Sequence, residues 1–108
     1  MLFMKSKYRE KDLQKDILDY LRLMGYLAVK FPSVGIYNKK TGSYIPMPQR
    51  GVSDILFWGK GKFGAIECKT VGGKVTDEQK IFLEKMRFKG GIDILAYDLD
   101  TVINTLNE

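Results

Sequence analysis

Apolar positions recur along the chain with two periods, and the change from one to the other lays out the architecture. From Arg9 to Met24, Leu13, Ile17, Leu21 and Met24 return every three or four residues, which aligns them on one stripe of an amphipathic helix. Gly25 stands where such a helix ends. Tyr26 to Phe31 is short, apolar and partly β-branched, a strand closed by Pro32. Ile36-Tyr37 and Tyr44-Ile45 flank the polar run Asn38 to Ser43, a pattern of either a hairpin or an ordered loop, and Pro46, Pro48 and Gly51 then favour irregular backbone. Asp54 to Trp58 and Phe63 to Lys69 read as two strands around the turn Gly59-Lys60-Gly61-Lys62. Beyond Gly72-Gly73, Thr76 to Lys89 is a second helix with Phe82, Leu83 and Met86 on its inner face and Gly90-Gly91 at its end. Ile92 to Tyr97 is an apolar strand, and Asp98 to Leu106 a short final helix.

The core order is therefore αβββαβα. A helix between the third and fourth strands implies a crossover and a parallel strand pair. The expected fold is α/β (α+β mixed), a mixed central β-sheet flanked by helices on both faces. Residues 1–108 amount to a single domain, without repeat, low-complexity tract or linker.

Composition narrows the chemistry more than the fold. Hydrophobic residues at 44% and charged residues at 29% are ordinary for a globular chain. No segment approaches the ~18 apolar residues of a membrane span, and Met1 to Met4 is too short for a signal-peptide core. Together with a single cysteine, Cys68, these features point to a cytoplasmic protein and exclude an internal disulfide or a multi-cysteine zinc site. The complete absence of histidine excludes Ser-His-Asp and Cys-His catalysis, histidine-ligated zinc and a histidine general base. Carboxylates, lysines, hydroxyls or a hard cation held by oxygen, such as Mg²⁺, remain. Eighteen Lys and Arg against thirteen Asp and Glu give a net charge of +5. That balance suits a polyanionic partner, nucleic acid above all, although a merely basic surface would look the same.

Hairpin geometry singles out a constellation. If the turn is centred between Lys60 and Gly61, residues whose numbers sum to 121 face each other, which sets Asp54 opposite Glu67. Directly paired residues share a face, with Cβ atoms roughly 4.5–5.5 Å apart. Lys69, two residues past Glu67, joins that face by strand alternation. Like charges placed so are destabilising unless a divalent cation lies between them, where it would also polarise a phosphodiester. Lys69 would then supply charge to the transition state or help deprotonate the attacking water. The alternative is a solvated charged edge, and an odd-length turn would separate the two acids.

Other residues stay ambiguous at this level. Glu10 continues the apolar stripe of the first helix, so it either reaches the sheet as a third metal ligand or interacts with the helix dipole. Gln79 either completes a capping box begun by Thr76 or directs its amide toward Lys69 and the scissile phosphate. Cys68 points away from the acids into the core, although its backbone carbonyl remains available to a metal. Lys5, Lys7, Arg9 and Lys11 cluster near the first helix, and Lys39, Lys40, Arg50, Lys60, Lys62 and Lys74 sit in loops. Each is either a phosphate contact or plain solvated charge. Tyr37, Tyr44 and Trp58 either stack on bases or pack.

Gly51-Val52-Ser53-Asp54 followed by Glu67-Cys68-Lys69 closely resembles the PD-(D/E)XK nuclease superfamily, and within it the VRR-NUC family. The likeness extends to Glu10 with Leu13-Gln14, the stretch from Tyr20-Leu21 to Gly25, Gly73-Lys74 and the helix start Thr76 to Gln79. Cys68 departs from the Val or Ile usual there. The resemblance implies a restriction-endonuclease-like core and Mg²⁺- or Mn²⁺-dependent phosphodiester hydrolysis. It assigns metal binding to Glu10, Asp54, Glu67 and the Cys68 carbonyl, and catalysis to Asp54, Glu67 and Lys69 with Gln79 in support. Arg50, Lys74, Lys40 and Lys60 are the expected DNA contacts. Stand-alone members of this kind, typically from bacteria and phages, resemble structure-selective endonucleases for branched DNA such as the four-way (Holliday) junction. Symmetric cleavage of a junction needs two sites, hence an expected homodimer, with residues 33 to 50 available for dimer or DNA contact. Competing expectations are a nicking or restriction-type nuclease on ordinary duplex, or an inactive nucleic-acid-binding module of the same fold.

Overall fold

The first helix, α1 (Glu10–Leu23), forms along the expected stripe and buries Leu13, Gln14, Ile17, Leu18 and Leu21. Met24, expected on the same stripe, instead caps the helix and is 39% exposed, because the chain turns away at Gly25 in the left-handed region (φ +94°). The computed structural model describes residues 8–32, 36–45 and 50–107. Lys5, Lys7, Pro46 and Pro48, with part of the 33-to-50 segment, lie outside the described residues.

After α1 come β1 (Leu27–Lys30), β2 (Ile36–Asn38), β3 (Ser43–Ile45), β4 (Ile55–Gly59) and β5 (Lys62–Cys68). The chain closes with α2 (Asp77–Phe88), β6 (Ile92–Ala96) and α3 (Leu99–Leu106). The expected αβββαβα core is present, and the segment left open between hairpin and loop is a hairpin, β2–β3, inserted between β1 and β4. Among the described residues it packs on none of the other elements.

The main sheet runs β1-β4-β5-β6, antiparallel except for the parallel β5–β6 pair that α2 connects. Between β4 and β5, Lys60 (φ 54°) and Gly61 (φ 75°) are both left-handed. That is the signature of a two-residue type I′ turn, whose twist matches the strands and fixes their register. Ile55 accordingly lies opposite Ile66 and Gly59 opposite Lys62, the register expected from the turn.

Helices cover both faces of the sheet. Ile55, Phe57, Ile66, Cys68, Ile94 and Ala96 meet Leu13, Ile17 and Leu21 of α1 and Val102 and Leu106 of α3 in one core cluster. Fully burying such side chains is worth about 1.5–3 kcal/mol each. On the opposite face α2 packs over β5 and β6, with Phe82 and Met86 beside Phe63. Gly64 in β5 has no alternative: an added Cβ would lie 2.3 Å from the Ile92 carbonyl oxygen and 2.6 Å from the Phe57 ring.

Candidate active site

Four elements converge at one end of the sheet: the start of α1, the start of β4, the end of β5 and the first turn of α2. Asp54 stands immediately before β4, and the hairpin register sets it across from Glu67. Both are buried, at 7% and 1% exposure. The Cys68 backbone N–H donates to Asp54 Oδ2 at 2.8 Å, which ties the carboxylate to the neighbouring strand. Glu67 Oε2 accepts from Gln79 Nε2 at 3.0 Å and lies 3.8 Å from Lys69 Nζ. The Lys69 side chain is itself only 13% exposed.

Glu67 Oε1 is buried and has no hydrogen-bond partner among the described residues, and the same holds for the Ser53 hydroxyl beside Asp54. An orphaned buried carboxylate oxygen is costly. Burial first, then the adjacent Asp54 charge, pushes the Glu67 pKa up from 4.5 to about 8, against the opposing pull of Lys69. Two buried acids that repel each other, one with an unpartnered oxygen, form a hard-oxygen donor set that a divalent cation satisfies. The residues present therefore fit Mg²⁺ or Mn²⁺.

Gln79 completes the capping box and turns its amide nitrogen to Glu67. Its Oε1 accepts from the Thr76 N–H at 2.9 Å while the Thr76 hydroxyl accepts from the Gln79 N–H at 3.1 Å, completing the capping box. Its amide nitrogen is left for Glu67 rather than for Lys69. Gln79→Glu keeps a residue suited to the capping box but turns its charge against Glu67. Helix content by circular dichroism is expected to hold, while any cleavage falls about 10- to 100-fold. Gln79→Leu is expected to lose the reciprocal bond to the Thr76 N–H as well, while the Thr76 hydroxyl still caps the residue 79 N–H, at about 0.5–1 kcal/mol in urea unfolding.

The other candidates are placed less centrally. Glu10 is the first residue of α1 and lies near enough to raise the Glu67 pKa, less than burial or Asp54 does. Among the described residues no group of three or more His, Cys, Asp or Glu side chains gathers at metal-holding distance. The Cys68 thiol is fully buried in the core, as expected, and burial pushes its pKa up. Arg50 pairs with Glu78 at the start of α2, at 3.4 Å. Lys74 is exposed on the loop between β5 and α2, and Lys40 on the β2–β3 turn. Lys60 lies at the far end of β4, about 20 Å from Asp54 at the rise of an extended strand, with its ammonium 5.2 Å from the Tyr26 ring centroid. Trp58 is 43% exposed near the same far end, and the side chains of Tyr37 and Tyr44 lie outside the described set.

Two features escape a reading by periodicity. Gly51 (φ +72°) abuts the start of α2: a Cβ there would lie 2.3 Å from the Glu78 carbonyl oxygen and 2.8 Å from the Gln79 nitrogen. Only a glycine lets the loop before Asp54 touch the helix that carries Gln79. The second is a cleft of about 510 Å³ at the ends of β5 and β6, lined by Tyr8, Arg9, Glu10, Thr70, Val71 and Tyr97. Lone tyrosines at element boundaries carry no sequence signal for such a site.

The protein thus has a mixed sheet with a parallel edge pair, helices on both faces, and paired acids plus a lysine at a strand end. A solved structure described as a VRR_NUC domain matches it with a TM-score of 0.66, covering 92% of this chain and 95% of that one, at 18% sequence identity. The fold of this chain is that of a VRR_NUC domain. No family model and no curated protein matches the sequence.

Proposed function

We propose that this protein is a divalent-metal-dependent nuclease that hydrolyses phosphodiester bonds in DNA, with branched DNA as its preferred substrate and a homodimer as its working form. The observation that carries the reading is the buried Asp54–Glu67 pair, with an unpartnered carboxylate oxygen, beside Lys69 and Gln79. A structural role does not explain a repulsive buried pair, whereas cation binding does.

Asp54, Glu67 and the Cys68 carbonyl are the groups that would hold Mg²⁺ or Mn²⁺, with Glu10 adding negative charge from α1. When bound, such an ion supplies positive charge and Lewis acidity toward the phosphodiester. Gln79 fixes the rotamer of Glu67 through Oε2. The capping box in turn fixes Gln79, so the carboxylate needs no reorganisation on binding. The Lys69 ammonium, largely withdrawn from water, donates to the phosphate oxygen on which negative charge grows. Arg50, Lys74 and Lys40 would contact backbone phosphates and set the strand's path without reading sequence.

The test is direct. Linear duplex, flap, single-stranded and four-way-junction DNA are incubated with Mg²⁺, Mn²⁺ or EDTA, beside Lys69→Met. Cleavage is expected only with metal, and Lys69→Met is expected to lower it by about 10²–10³-fold, the effect of removing one transition-state donor. No metal-dependent cleavage of any substrate overturns the enzyme reading. Equal cutting of duplex and junction removes the preference for branched DNA. A monomer by sedimentation, with and without junction, removes the dimer.

A further inference from the structure

The cleft at the ends of β5 and β6 is lined by Glu10 but not by Asp54 or Glu67. Glu10 also acts electrostatically on Glu67. Thr70 and Val71, on its wall, directly follow Lys69. The parallel register pairs Glu67 with Leu95 and Cys68 with Ala96. Lys69 N–H donates to the Ala96 carbonyl at 3.0 Å, so the next residue, Tyr97, flanks Lys69 itself. A ligand in this cleft lies alongside whatever Lys69 touches.

Aromatic and apolar surface makes up much of its wall. Tyr97 is 41% exposed, Tyr8 52% and Val71 93%, so flat aromatic and apolar surface faces outward. Tyr8 is not loose: its hydroxyl donates to Asp16 Oδ2 at 2.5 Å, which anchors the ring against α1. Arg9 also lines the cleft, its guanidinium 3.5 Å from Asp12 Oδ2, with the Glu10 carboxylate beside it. A volume of about 510 Å³ lies within the roughly 300–1,000 Å³ of small-ligand sites. Two rings and an arginine, in a chain of net charge +5, form the combination that holds single-stranded nucleic acid, where each base stacks on an aromatic face and the backbone meets positive charge.

Resting on the nuclease reading for its ligand, we infer that this cleft receives an unpaired nucleotide flanking the scissile phosphate, with its base stacked on Tyr97 against the Tyr8 wall. A base held in a continuous duplex cannot enter, because it remains stacked on its neighbours. The cleft therefore favours DNA in which pairing is interrupted next to the cut, and gives the preference for branched substrates a physical origin within one chain.

The experiment separates this inference from catalysis by working in EDTA. Flap DNA carrying 2-aminopurine at the first unpaired position is titrated with wild type, Tyr97→Ala, Tyr97→Leu and Tyr97→Phe, beside a fully paired duplex of the same sequence. Wild type and Tyr97→Phe are expected to quench the fluorophore. Tyr97→Ala and Tyr97→Leu are expected to leave it bright and to bind the flap about ten-fold more weakly, with duplex affinity unchanged. Tyr97→Leu keeps an apolar side chain, so it covers the case in which Tyr97→Ala fails to fold. Quenching and affinity equal to wild type in Tyr97→Leu overturn the inference, as does an equal loss on flap and duplex. A protein that quenches but cuts nothing with any metal keeps this site and loses the nuclease reading. One that cuts without quenching does the reverse.

Discussion

At pH 8 Glu67→Gln is expected to melt about 12–15 °C above the wild type when no metal is present, and with Mg²⁺ to cut DNA at least about 10³-fold more slowly. Both effects arise from one cause. Burial and the Asp54 charge hold the Glu67 carboxyl at a pKa of about 8, against an ordinary 4.5. Between those two values the folded state carries a proton that the unfolded state has lost, so unfolding releases it. Stability therefore falls as pH rises from about 4.5 to about 8, and levels off above that. The total loss is of order 3 kcal/mol, from 1.36 kcal/mol per pH unit discounted for relaxation. A neutral amide removes the penalty and can donate to Asp54, so the variant's stability should be flat across the window. Urea unfolding at pH 5.5 and pH 8 for both proteins checks the sign. A wild type that gains stability toward pH 8 would place Glu67 in a different environment. Added Mg²⁺ should reverse the ranking, stabilising the wild type by mass action and leaving Glu67→Gln unmoved.

The second large effect is expected from a single methyl group at Gly51. Gly51→Ala must either open the backbone contact with Glu78, where the Cβ would sit 2.3 Å from a carbonyl oxygen, or abandon φ +72°. Either response moves the loop that carries Asp54 relative to the helix that carries Gln79. A cost of about 2–4 kcal/mol is expected in urea unfolding, within the range of backbone strain combined with overpacking. Cleavage is expected to fall about 10²-fold, the size of effect that follows from misplacing catalytic groups by about 1 Å. Gly25→Ala is the control, since Gly25 shares the left-handed backbone (φ +94°) but has nothing within 4 Å. It should cost about 1 kcal/mol and leave cleavage intact. Equal losses in the two variants would mean that backbone strain, not the contact with α2, matters at Gly51.

Much of this was legible in the residues because it depends on local geometry. Period and turn chemistry place α1, β4, β5 and α2, and the Lys60-Gly61 turn sets the register that pairs Asp54 with Glu67. Thr76 and Gln79 announce a helix start by their spacing alone. What the sequence hides depends on contacts between elements far apart in the chain. The backbone approach of Gly51 to Glu78 is invisible because any loop glycine looks alike. The dual role of Gln79 needs the angle at which α2 crosses β5, which helix spacing does not give. Tyr97 and Tyr8 meet around one cleft only because β6 is parallel to β5 and α1 starts at the same end of the sheet. Met24 failed for a local reason, since the stripe outlasts the helix by one residue before Gly25 turns the chain.

The inserted hairpin has a consequence of its own. The chain leaves the sheet after β1 and re-enters at β4, its antiparallel neighbour, and the Phe31 N–H bonds the Asp54 carbonyl at 2.8 Å where the two ends meet. The excursion between them is a ring whose two ends meet at this bond and whose Gly51 touches α2. Doubling its length would cost only about 0.6 kcal/mol of closure entropy. Sequence can therefore be lengthened, trimmed or exchanged in that ring during evolution or by grafting. The paired acids stay in register throughout, provided the last turn of the ring keeps Gly51 against α2.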